Sequence, residues 1–289
     1  MGSSARAKRD DVPMAPRPYT NQHLYTALRL TVETYDKATG AAGPRGHATG
    51  FVITGLNSPG YLVTNRHVLD PLFRGPRFLR YGLGSVRIES YSARSPDAPP
   101  RTIDLSEVDP IYLDNNADID LAIIDLRTLP REASLPSVFR VIDLVPTVDI
   151  RRDVVGAGSE VVIAGYPEVG GEVGARPVLV AGRISSDLRV PATFGSQTFT
   201  AHEGLCHAFS RGGMSGAPVL TAVDEGSGPV GTPEGTRVRV VGVNAGHIQL
   251  DAGGDSASAI SRFVTVPVLL RLFEQVDFDL ASVWAMDYD

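Results

Sequence analysis

Three residues that lie far apart in the chain have the types that serine-dependent acyl transfer requires, namely a base, a group that orients it and a nucleophile. The candidate base is His67, which follows an apolar run in the segment TGFVITGLNSPGYLVTNRHVLD. This segment predicts two strands joined by a turn at Asn57–Gly60, with His67 just past the second strand. A side chain there can project into a cleft, although a single histidine in such a place is also common as a structural residue.

The candidate orienting group is Asp120, which stands immediately before the apolar run LAII in the segment NNADIDLAIIDL. A carboxylate at the start of such a strand is partly desolvated and needs a partner, for which an imidazole N–H is suitable. The alternative is an aspartate that caps the turn into the strand. Asp118 and Asp125 compete for the same role, but Asp125 is expected to meet solvent.

The candidate nucleophile is Ser215 in the segment SRGGMSGAPVL, where Gly212, Gly213 and Gly216 surround it. Glycines let backbone N–H groups turn inward without a clash of Cβ atoms. Converging N–H groups beside a hydroxyl are what an oxyanion hole requires. A glycine-rich turn with a serine is common by itself, but the chain order His, Asp, Ser makes the combination much more specific.

The elements that must position these residues are short strands. Alternation of apolar and polar residues predicts a half-buried strand over 28–32. Further runs rich in Val, Ile or Leu and bounded by turn residues predict strands at Gly50–Thr54, Tyr61–Thr64, Val86–Ser90, Leu121–Leu126, Val161–Gly165, Val178–Ser185, Ala217–Thr221 and Val238–Val243. No long helical periodicity separates them, which disfavours a parallel sheet and favours barrels or a sandwich. Apolar residues at helical spacing after Pro267 predict one C-terminal helix.

The organisation of the chain is expected to be a flexible N-terminal arm over 1–20 and two halves, 21–135 and 136–289, joined by a linker near 127–150. Long loops in a compact domain are often functional or disordered. The sequence predicts three of them, at 91–102, 166–177 and 224–236.

The composition excludes several classes of protein. The chain has 289 residues, of which 43% are hydrophobic and 21% are charged, and this is typical of a soluble globular protein. The net charge of −6 argues against a nucleic-acid partner, and no apolar run approaches the roughly 18 residues that suggest a membrane span. Cys206 is the only cysteine, so no intramolecular disulfide can form. With no apolar signal-like stretch in the first 20 residues, a cytoplasmic location is expected.

Together these motifs make the sequence resemble the chymotrypsin-fold, trypsin-like serine endopeptidases, in particular their bacterial branch without disulfides. TNRHV resembles the histidine motif of that family, DLA at 120–122 its aspartate motif, and GMSGAP at 213–218 its nucleophile motif. VVIAGYP at 161–167, GRIS at 182–185 and VVGVNAG at 240–246 resemble the second barrel. The likeness covers roughly residues 25–275.

The resemblance implies an all-β fold of two six-stranded antiparallel barrels with a C-terminal helix. It implies that His67 is the general base, that Asp120 orients it and that Ser215 attacks the substrate carbonyl. The backbone N–H groups of Gly213 and Ser215 would form the oxyanion hole. Further residues that the resemblance places at substrate are Phe209, Ser210, Val243, Asn244 and Ala245, the last three as an edge that pairs with an extended substrate.

Two departures from the family pattern are informative. Met214 stands where members activated by zymogen cleavage have an aspartate, which argues against that switch. Phe209 stands six positions before Ser215, where the trypsin subgroup has an acidic residue, so a preference for Arg or Lys is not expected.

We therefore predict a serine endopeptidase that acts on a protein or peptide substrate and needs no cofactor and no metal. A regulatory protein partner or loop ordering is expected to control it, with 166–177 and 224–236 as candidate elements. The alternative is a catalytically silent, protease-like domain used for binding. The cluster of His202, Cys206 and His207 lacks a second ligand pair for zinc, and we expect it to support the specificity pocket instead.

Overall fold

The computed structural model describes residues 18–55, 60–106, 108–113, 118–127, 129, 135, 138–194, 197–200, 202–224, 236–249 and 257–277. Residues 57–59 of the predicted turn, most of the 224–236 loop, residues 1–17 of the arm and part of the predicted linker lie outside this set. The described residues form a mostly β structure with four helices, which are α1 (Asn21–Leu24), α2 (Arg66–Leu69), α3 (Thr147–Arg151) and α4 (Val266–Val276). Single 3-10 turns occupy Pro76–Phe78 and Val141–Asp143.

The first half of the chain forms one sheet in which eight strands are described. They are β1 (Leu28–Asp36), β2 (Ala42–Thr54), β3 (Tyr61–Thr64), β4 (Tyr81–Ser90), β5 (Arg101–Ser106), β6 (Ile111–Tyr112), β7 (Ala122–Asp125) and β8 (Phe139–Arg140). Their order is β5-β4-β1-β2-β3-β7-β6, and β8 pairs with β2 in parallel. The first part of the 13-residue strand β2 pairs with β1 and its last part pairs with β3. This strand therefore joins the β5-β4-β1 part of the sheet to the β3-β7-β6 part.

The second half forms a closed six-stranded barrel. Its strands are β9 (Glu160–Gly165), β12 (Val178–Ile184), β15 (Glu203–His207), β16 (Pro218–Asp224), β17 (Thr236–Gln249) and β18 (Ala257–Thr265), in the order β12-β15-β18-β17-β16-β9. Two short hairpins project from it. One is β10 (Glu168–Val169) with β11 (Glu172–Val173), and the other is β13 (Thr193–Phe194) with β14 (Gln197–Thr198).

The predicted fold class is confirmed in its all-β character, its second barrel and its C-terminal helix. The first half differs from the expected six strands because β6 and β8 add two more. Each has only two residues, which is too short to produce a periodic apolar pattern. The chain passes from the first sheet to the barrel between Arg140, in β8, and Leu144, which bridges to Val240 of β17. The predicted division at residue 135 stays a prediction.

Apolar packing joins the two halves and α4. One buried cluster contains side chains from β2, β3 and β7 of the first sheet together with side chains from β16, β17 and β18 of the barrel. The helix α4 begins with Pro267 in its first turn and buries Leu269, Leu272 and Phe273 in the same cluster. Among the described helices none is long and apolar enough to cross a lipid bilayer.

Truncation of Phe273 tests how strongly α4 holds the two halves together. Phe273 is fully buried, and its ring centre lies 5.6 Å from that of Tyr61 in the first sheet. We expect Phe273→Ala to lower the free energy of unfolding by about 3–5 kcal/mol, because a large cavity remains. Urea denaturation measures this value. The control is Glu274→Ala at the next, exposed position of the helix, which should change stability by less than about 0.5 kcal/mol; equal losses would contradict the assignment of α4 to the core.

Candidate active site

Antiparallel pairing of β3 with β7 brings His67 next to Asp120. In this pair Thr64, the last residue of β3, lies opposite Ala122, the first residue of β7. The residues that follow β3 therefore meet the residues that precede β7, since antiparallel strands run in opposite directions. The chain leaves β3 at Asn65 and turns into the single-turn helix α2. The side-chain amide of Asn65 donates to the carbonyl of Asp120 at 2.8 Å and fixes the two segments to each other.

Two short contacts join His67 to the Asp120 carboxylate. The backbone N–H of His67 donates to Oδ1 at 2.9 Å, and the ring atom Nδ1 lies 2.7 Å from Oδ2. An ionised carboxylate can only accept, so Nδ1 carries the hydrogen. In the neutral ring, Nε2 is then left as the acceptor. This is the tautomer that a general base needs.

The Asp120 carboxylate is ionised although it is only 1% exposed. Burial by itself would raise the pKa of Asp120, because a low-dielectric environment penalises the charged form. The hydrogen bonds from His67 and the positive charge of Arg262 outweigh that penalty and hold the pKa below its usual value. Asp120 therefore stays an acceptor for the imidazole at neutral pH.

The two competing aspartates lie elsewhere. Asp125 is at the far end of β7, where it forms an ion pair of 2.7 Å with Arg127. Asp118 is exposed two residues before Asp120. Of the three carboxylates considered from the sequence, Asp120 is the one that is hydrogen-bonded to His67.

The loop that carries Ser215 is anchored to both halves of the fold. On the barrel side, Met214 is fully buried and its carbonyl accepts from the Asn244 amide at 2.8 Å. On the first-sheet side, the carbonyl of Ser215 accepts from the backbone N–H of Thr49 at 2.8 Å. Gly216 has a positive φ of 85°, and a Cβ atom there would lie 2.2 Å from both Thr49 O and Thr64 Oγ1. Ser215 thus lies beside the end of β3, which leads into His67.

Thr49 connects three segments through one hydroxyl. Its Oγ1 donates to the carbonyl of Gly213 at 2.7 Å and accepts from the backbone N–H of Tyr166 at 3.1 Å. Its own carbonyl accepts from Thr64 Oγ1 at 2.9 Å. Thr49 is completely buried, so these groups have no water as an alternative partner.

Two backbone N–H groups around Gly213 are without an acceptor in the described part of the chain, and the neighbouring hairpin fixes the orientation of the first. Within the described residues, the backbone N–H groups of Gly213 and Ser215 donate no hydrogen bond. The carbonyl of Gly212 accepts from the backbone N–H of Glu168 at 2.7 Å. In a trans peptide the C=O and the following N–H point in opposite directions, so this bond turns the Gly213 N–H away from the β10–β11 hairpin. Gly213 has φ of 82°, and a Cβ atom there would lie 2.3 Å from Tyr166 O.

In the part of the chain that the structure describes, His67 is hydrogen-bonded to Asp120 but not to Ser215. Among the described residues, no hydrogen bond joins the Ser215 hydroxyl to the imidazole. Such bonds are often long or poorly aligned in structures without substrate, so the gap does not remove Ser215 as a candidate.

Phe209 and Ser210 border a cavity next to this loop. The cavity has a volume of about 370 Å³, and Glu168, Gly212 and His247 also line it. The ring of Phe209 is 39% exposed and lies under the guanidinium of Arg211. Ser210 is buried, and its Oγ lies 2.9 Å from Ser261 Oγ, which donates to the carbonyl of Ala208.

The backbone of Val243 and Asn244 already has protein partners on both sides. Val243 lies opposite Pro218 of β16 and Val264 of β18. The Asn244 N–H donates to Ala217 O, and its carbonyl accepts from Gly216 N–H, each at 2.8 Å. The ladder with β16 ends at Val243, and the ladder with β18 skips Ala245. Beyond Asn244 the β16 side of β17 has no strand partner among the described residues.

The residues considered for zinc do not come together. Cys206 is buried in the barrel core, and desolvation raises the pKa of its thiol to about 12. His207 follows it on an exposed position of the same strand, and the His202 ring lies 3.1 Å from Arg271 of α4. In the described part of the chain, no group of three or more His, Cys, Asp or Glu side chains could hold a metal ion. None of the three lines the cavity at Phe209 and Ser210.

Comparison of the sequence with protein families gives one match that covers most of the chain. The family model for the trypsin-like peptidase domain matches residues 48–231. The chain belongs to the trypsin-like peptidase domain family. The matched segment contains His67, Asp120 and Ser215, so all three lie inside the trypsin-like peptidase domain.

The chain was also compared with curated proteins and with solved structures. No curated protein matches the sequence significantly. The matching solved structures include one titled HtrA-type protease AlgW with decapeptide, at 15% sequence identity and a TM-score of 0.49. The alignment covers 90% of this chain and 66% of that one.

Sequence reasoning did not find three residues that organise this trypsin-like peptidase site. Thr49 acts through its hydroxyl, and Glu168 acts through its backbone N–H. Neither of these roles can be recognised from the type of the residue in the sequence. Arg262 approaches Asp120 to 3.5 Å, and its signal is a charged residue within the run AISRFVTV.

Replacement of Thr49 tests the connection between the two halves. We expect Thr49→Val, which keeps the shape but removes the hydroxyl, to lower the free energy of unfolding by about 1–3 kcal/mol. The reason is that the Gly213 carbonyl loses its donor and the Tyr166 N–H loses its acceptor. Thermal or urea unfolding measures the change. Thr49→Ser keeps the hydroxyl and should retain most of the stability, and a larger loss in Thr49→Ser than in Thr49→Val would refute the role of the hydroxyl.

Proposed function

We propose that the chain is a serine endopeptidase with His67, Asp120 and Ser215 as its catalytic triad. The observation that carries this proposal is the His67–Asp120 couple, in which the carboxylate is buried and ionised and the partly exposed imidazole is in the tautomer of a general base. The anchored loop that places Ser215 beside the end of β3 supports it. Membership of the trypsin-like peptidase domain family supports the same class of reaction.

The proposed chemistry proceeds through an acyl-enzyme. His67 Nε2 takes the proton of the Ser215 hydroxyl while Oγ attacks the substrate carbonyl, and the resulting imidazolium gives that proton to the leaving amine. Asp120 stabilises the imidazolium through the Nδ1 hydrogen bond. His67 Nε2 then takes a proton from a water whose oxygen attacks the acyl carbonyl, and the imidazolium returns that proton to Ser215 Oγ as the acyl C–O bond breaks and the carboxylic acid product leaves.

Backbone donors stabilise the oxyanion in this proposal. The N–H groups of Gly213 and Ser215 have no acceptor among the described residues and are therefore available to a developing negative charge. The loss of one such donor typically raises the barrier by about 2.7–4 kcal/mol. The mechanism uses neither a cofactor nor a metal.

The proposed substrate is a protein or peptide in an extended conformation. It adds as a strand at the β16 side of β17 from Ala245 onward, where the β16 ladder has ended. The cavity at Phe209 and Ser210 takes the side chain next to the scissile bond. Phe209, at the position that is acidic in the trypsin subgroup, carries no charge, but Glu168 also lines the cavity, so the expectation that Arg and Lys are not preferred stays a prediction. The cytoplasmic location stays a prediction.

The β10–β11 hairpin is the proposed point of control. It borders the oxyanion loop through the Glu168 N–H bond to Gly212 O, and its Val169 side chain is 61% exposed. A regulatory protein that binds the hairpin can therefore change the orientation of the Gly212–Gly213 peptide without entering the substrate cleft.

The second candidate is a catalytically silent, protease-like binding domain. The missing hydrogen bond between the Ser215 hydroxyl and the imidazole favours it. The intact couple of His67 and Asp120 opposes it, since a pure binding domain has no need for a buried, ionised carboxylate at this place.

Labelling of the nucleophile decides between the two. We expect wild-type protein to react with a fluorophosphonate probe and to cleave peptides, because the triad activates the Ser215 hydroxyl. The Ser215→Ala variant should lose both activities, as judged by gel fluorescence and a peptide-library assay. Ser185→Ala, at an exposed serine that follows β12, should keep the labelling. A labelled Ser215→Ala variant would exclude Ser215 as the nucleophile, and a wild type that stays unlabelled under every condition would support a binding domain or a protease that awaits its regulatory partner.

Two substitutions at one position test the role of the hairpin. Glu168→Pro removes the backbone N–H that holds Gly212 O, and we expect kcat to fall by about 10²-fold, as for loss of an oxyanion donor. Glu168→Ala keeps the N–H and removes an exposed side chain that lines the substrate cavity, so its effect should fall on KM and kcat should change little. Steady-state kinetics on one peptide measure both. Equal losses would show that the side chain, and not the N–H, is what matters.

A further inference from the structure

Arg262 lies on the face of β18 that packs against the first sheet. Its neighbours Ser261 and Phe263 are fully buried, and Phe263 belongs to the barrel core. Successive side chains of a strand point to opposite faces, so Arg262 and Val264 share the outer face. Val264 belongs to the cluster between the two halves, and Arg262 is consequently directed at the first sheet rather than at open solvent.

The guanidinium of Arg262 connects two buried carboxylates. One nitrogen lies 3.5 Å from Asp120 Oδ2, the oxygen that also contacts His67 Nδ1. Another donates to Glu203 Oε1 at 3.0 Å. The second oxygen of Glu203 accepts from the backbone N–H of Thr200 at 3.1 Å, so the ion pair is attached to the barrel framework. The Arg262 side chain is only 33% exposed.

A buried carboxylate with two oxygens has about four acceptor positions, and His67 fills two of them on Asp120. The other charged group that acts on Asp120 is Arg262. We propose that Arg262 is a positioning residue of the active site, which holds the Asp120 carboxylate ionised and oriented from the second barrel. This inference rests on the proposed serine mechanism and extends it from a triad to a line of five charged or polar groups that ends at Glu203.

A fixed positive charge beside Asp120 also changes the protonation of the couple. It repels a proton from the His67–Asp120 pair whichever of the two groups receives it, because the pair titrates as a unit. Removal of the charge makes protonation easier, so the loss of activity on acidification begins at a higher pH. Removal of the Glu203 charge acts in the opposite sense.

Other charged groups surround the pair but are engaged elsewhere. On α2, Arg66 pairs with Asp70. After α2, Arg74 Nε donates to the backbone carbonyl of His67 at 2.6 Å and not to the carboxylate. On the side of the Ser215 loop, Arg211 lies over the Phe209 ring, and His247 of β17 lines the neighbouring cavity. Within the described residues, none of these groups replaces Arg262 as the cation that pairs with Asp120.

The test compares the pH profile of kcat/KM between wild-type protein and three variants. In Arg262→Met the acid limb should move to higher pH by about half to one unit, and kcat should fall. Arg262→Lys keeps the charge and should keep the acid limb, although kcat falls because the planar guanidinium is lost. Glu203→Gln should move the limb to lower pH by a smaller amount.

The control is Arg183→Met on β12, which removes a positive charge from an exposed ion pair with Glu160 of β9. Solvent screens such a pair, so its acid limb should coincide with that of wild-type protein. A merely structural role for Arg262 predicts lower kcat in every variant with no displacement of the limb, and that outcome overturns the inference. So does an equal displacement in Arg183→Met.

A second readout does not depend on turnover. In the Ser215→Ala background, NMR of the His67 imidazole gives the pH midpoint of the couple with and without Arg262→Met. A midpoint that rises on loss of Arg262 supports the inference even if wild-type protein fails to label with the fluorophosphonate, in which case only the proposed function fails. An unchanged midpoint in a protein that labels normally overturns the role of Arg262 and leaves the serine mechanism intact.

Discussion

The buried carboxylate of Asp120 is the constraint on which the rest of the site depends. A charge that is removed from water must find donors within the protein, or it is neutralised by a proton. The structure compensates the charge from two directions, with two hydrogen bonds from His67 of the first sheet and an ion pair of 3.5 Å with Arg262 of the barrel. Because His67 supplies both a backbone and a ring N–H, the same interaction that compensates the charge also fixes the tautomer of the ring.

A second constraint arises because His67 and Asp120 lie in one half of the fold and Ser215 lies in the other. Small movements between the halves would separate the groups, and the apolar cluster at their interface does not by itself define a position to a fraction of an ångström. The directional bonds of Thr49 to Gly213, Ser215 and Tyr166 supply that definition. Thr49 is completely buried, so water cannot replace these hydrogen bonds and the loss of any one of them leaves a buried polar group without a partner.

Much of the fold could be predicted from the sequence because short runs rich in Val, Ile or Leu and bounded by turn residues correspond to real strands. The predicted runs at Gly50–Thr54, Val161–Gly165 and Val238–Val243 lie inside β2, β9 and β17, and the predicted helix agrees with α4. Strand β18 was missed because its Arg262 and its small residues interrupt the apolar pattern. Strands β6 and β8 were missed because two residues carry no period.

The same distinction applies to the candidate site. His67, Asp120 and Ser215 could be chosen in advance, since each has a side chain with evident chemistry at the end of a strand or in a glycine loop. The pairing register of β3 with β7, which single-sequence patterns do not contain, explains why Asp120 and not Asp125 reaches His67. Contacts made by backbone groups, such as the bond from Glu168 to Gly212, are independent of residue type and could not be predicted at all.

The way in which Met214 anchors the loop of Ser215 has a consequence for the conditions under which the site keeps its shape. A loop held by an ion pair loosens when a carboxylate takes up a proton or when added salt weakens the attraction. Met214 is instead immersed in the hydrocarbon interior of the barrel, and a thioether neither titrates nor responds to ionic strength. The geometry around the serine is therefore insulated from acidity and from electrolyte, and sensitivity to either must enter through the imidazole, its carboxylate and the charges behind them.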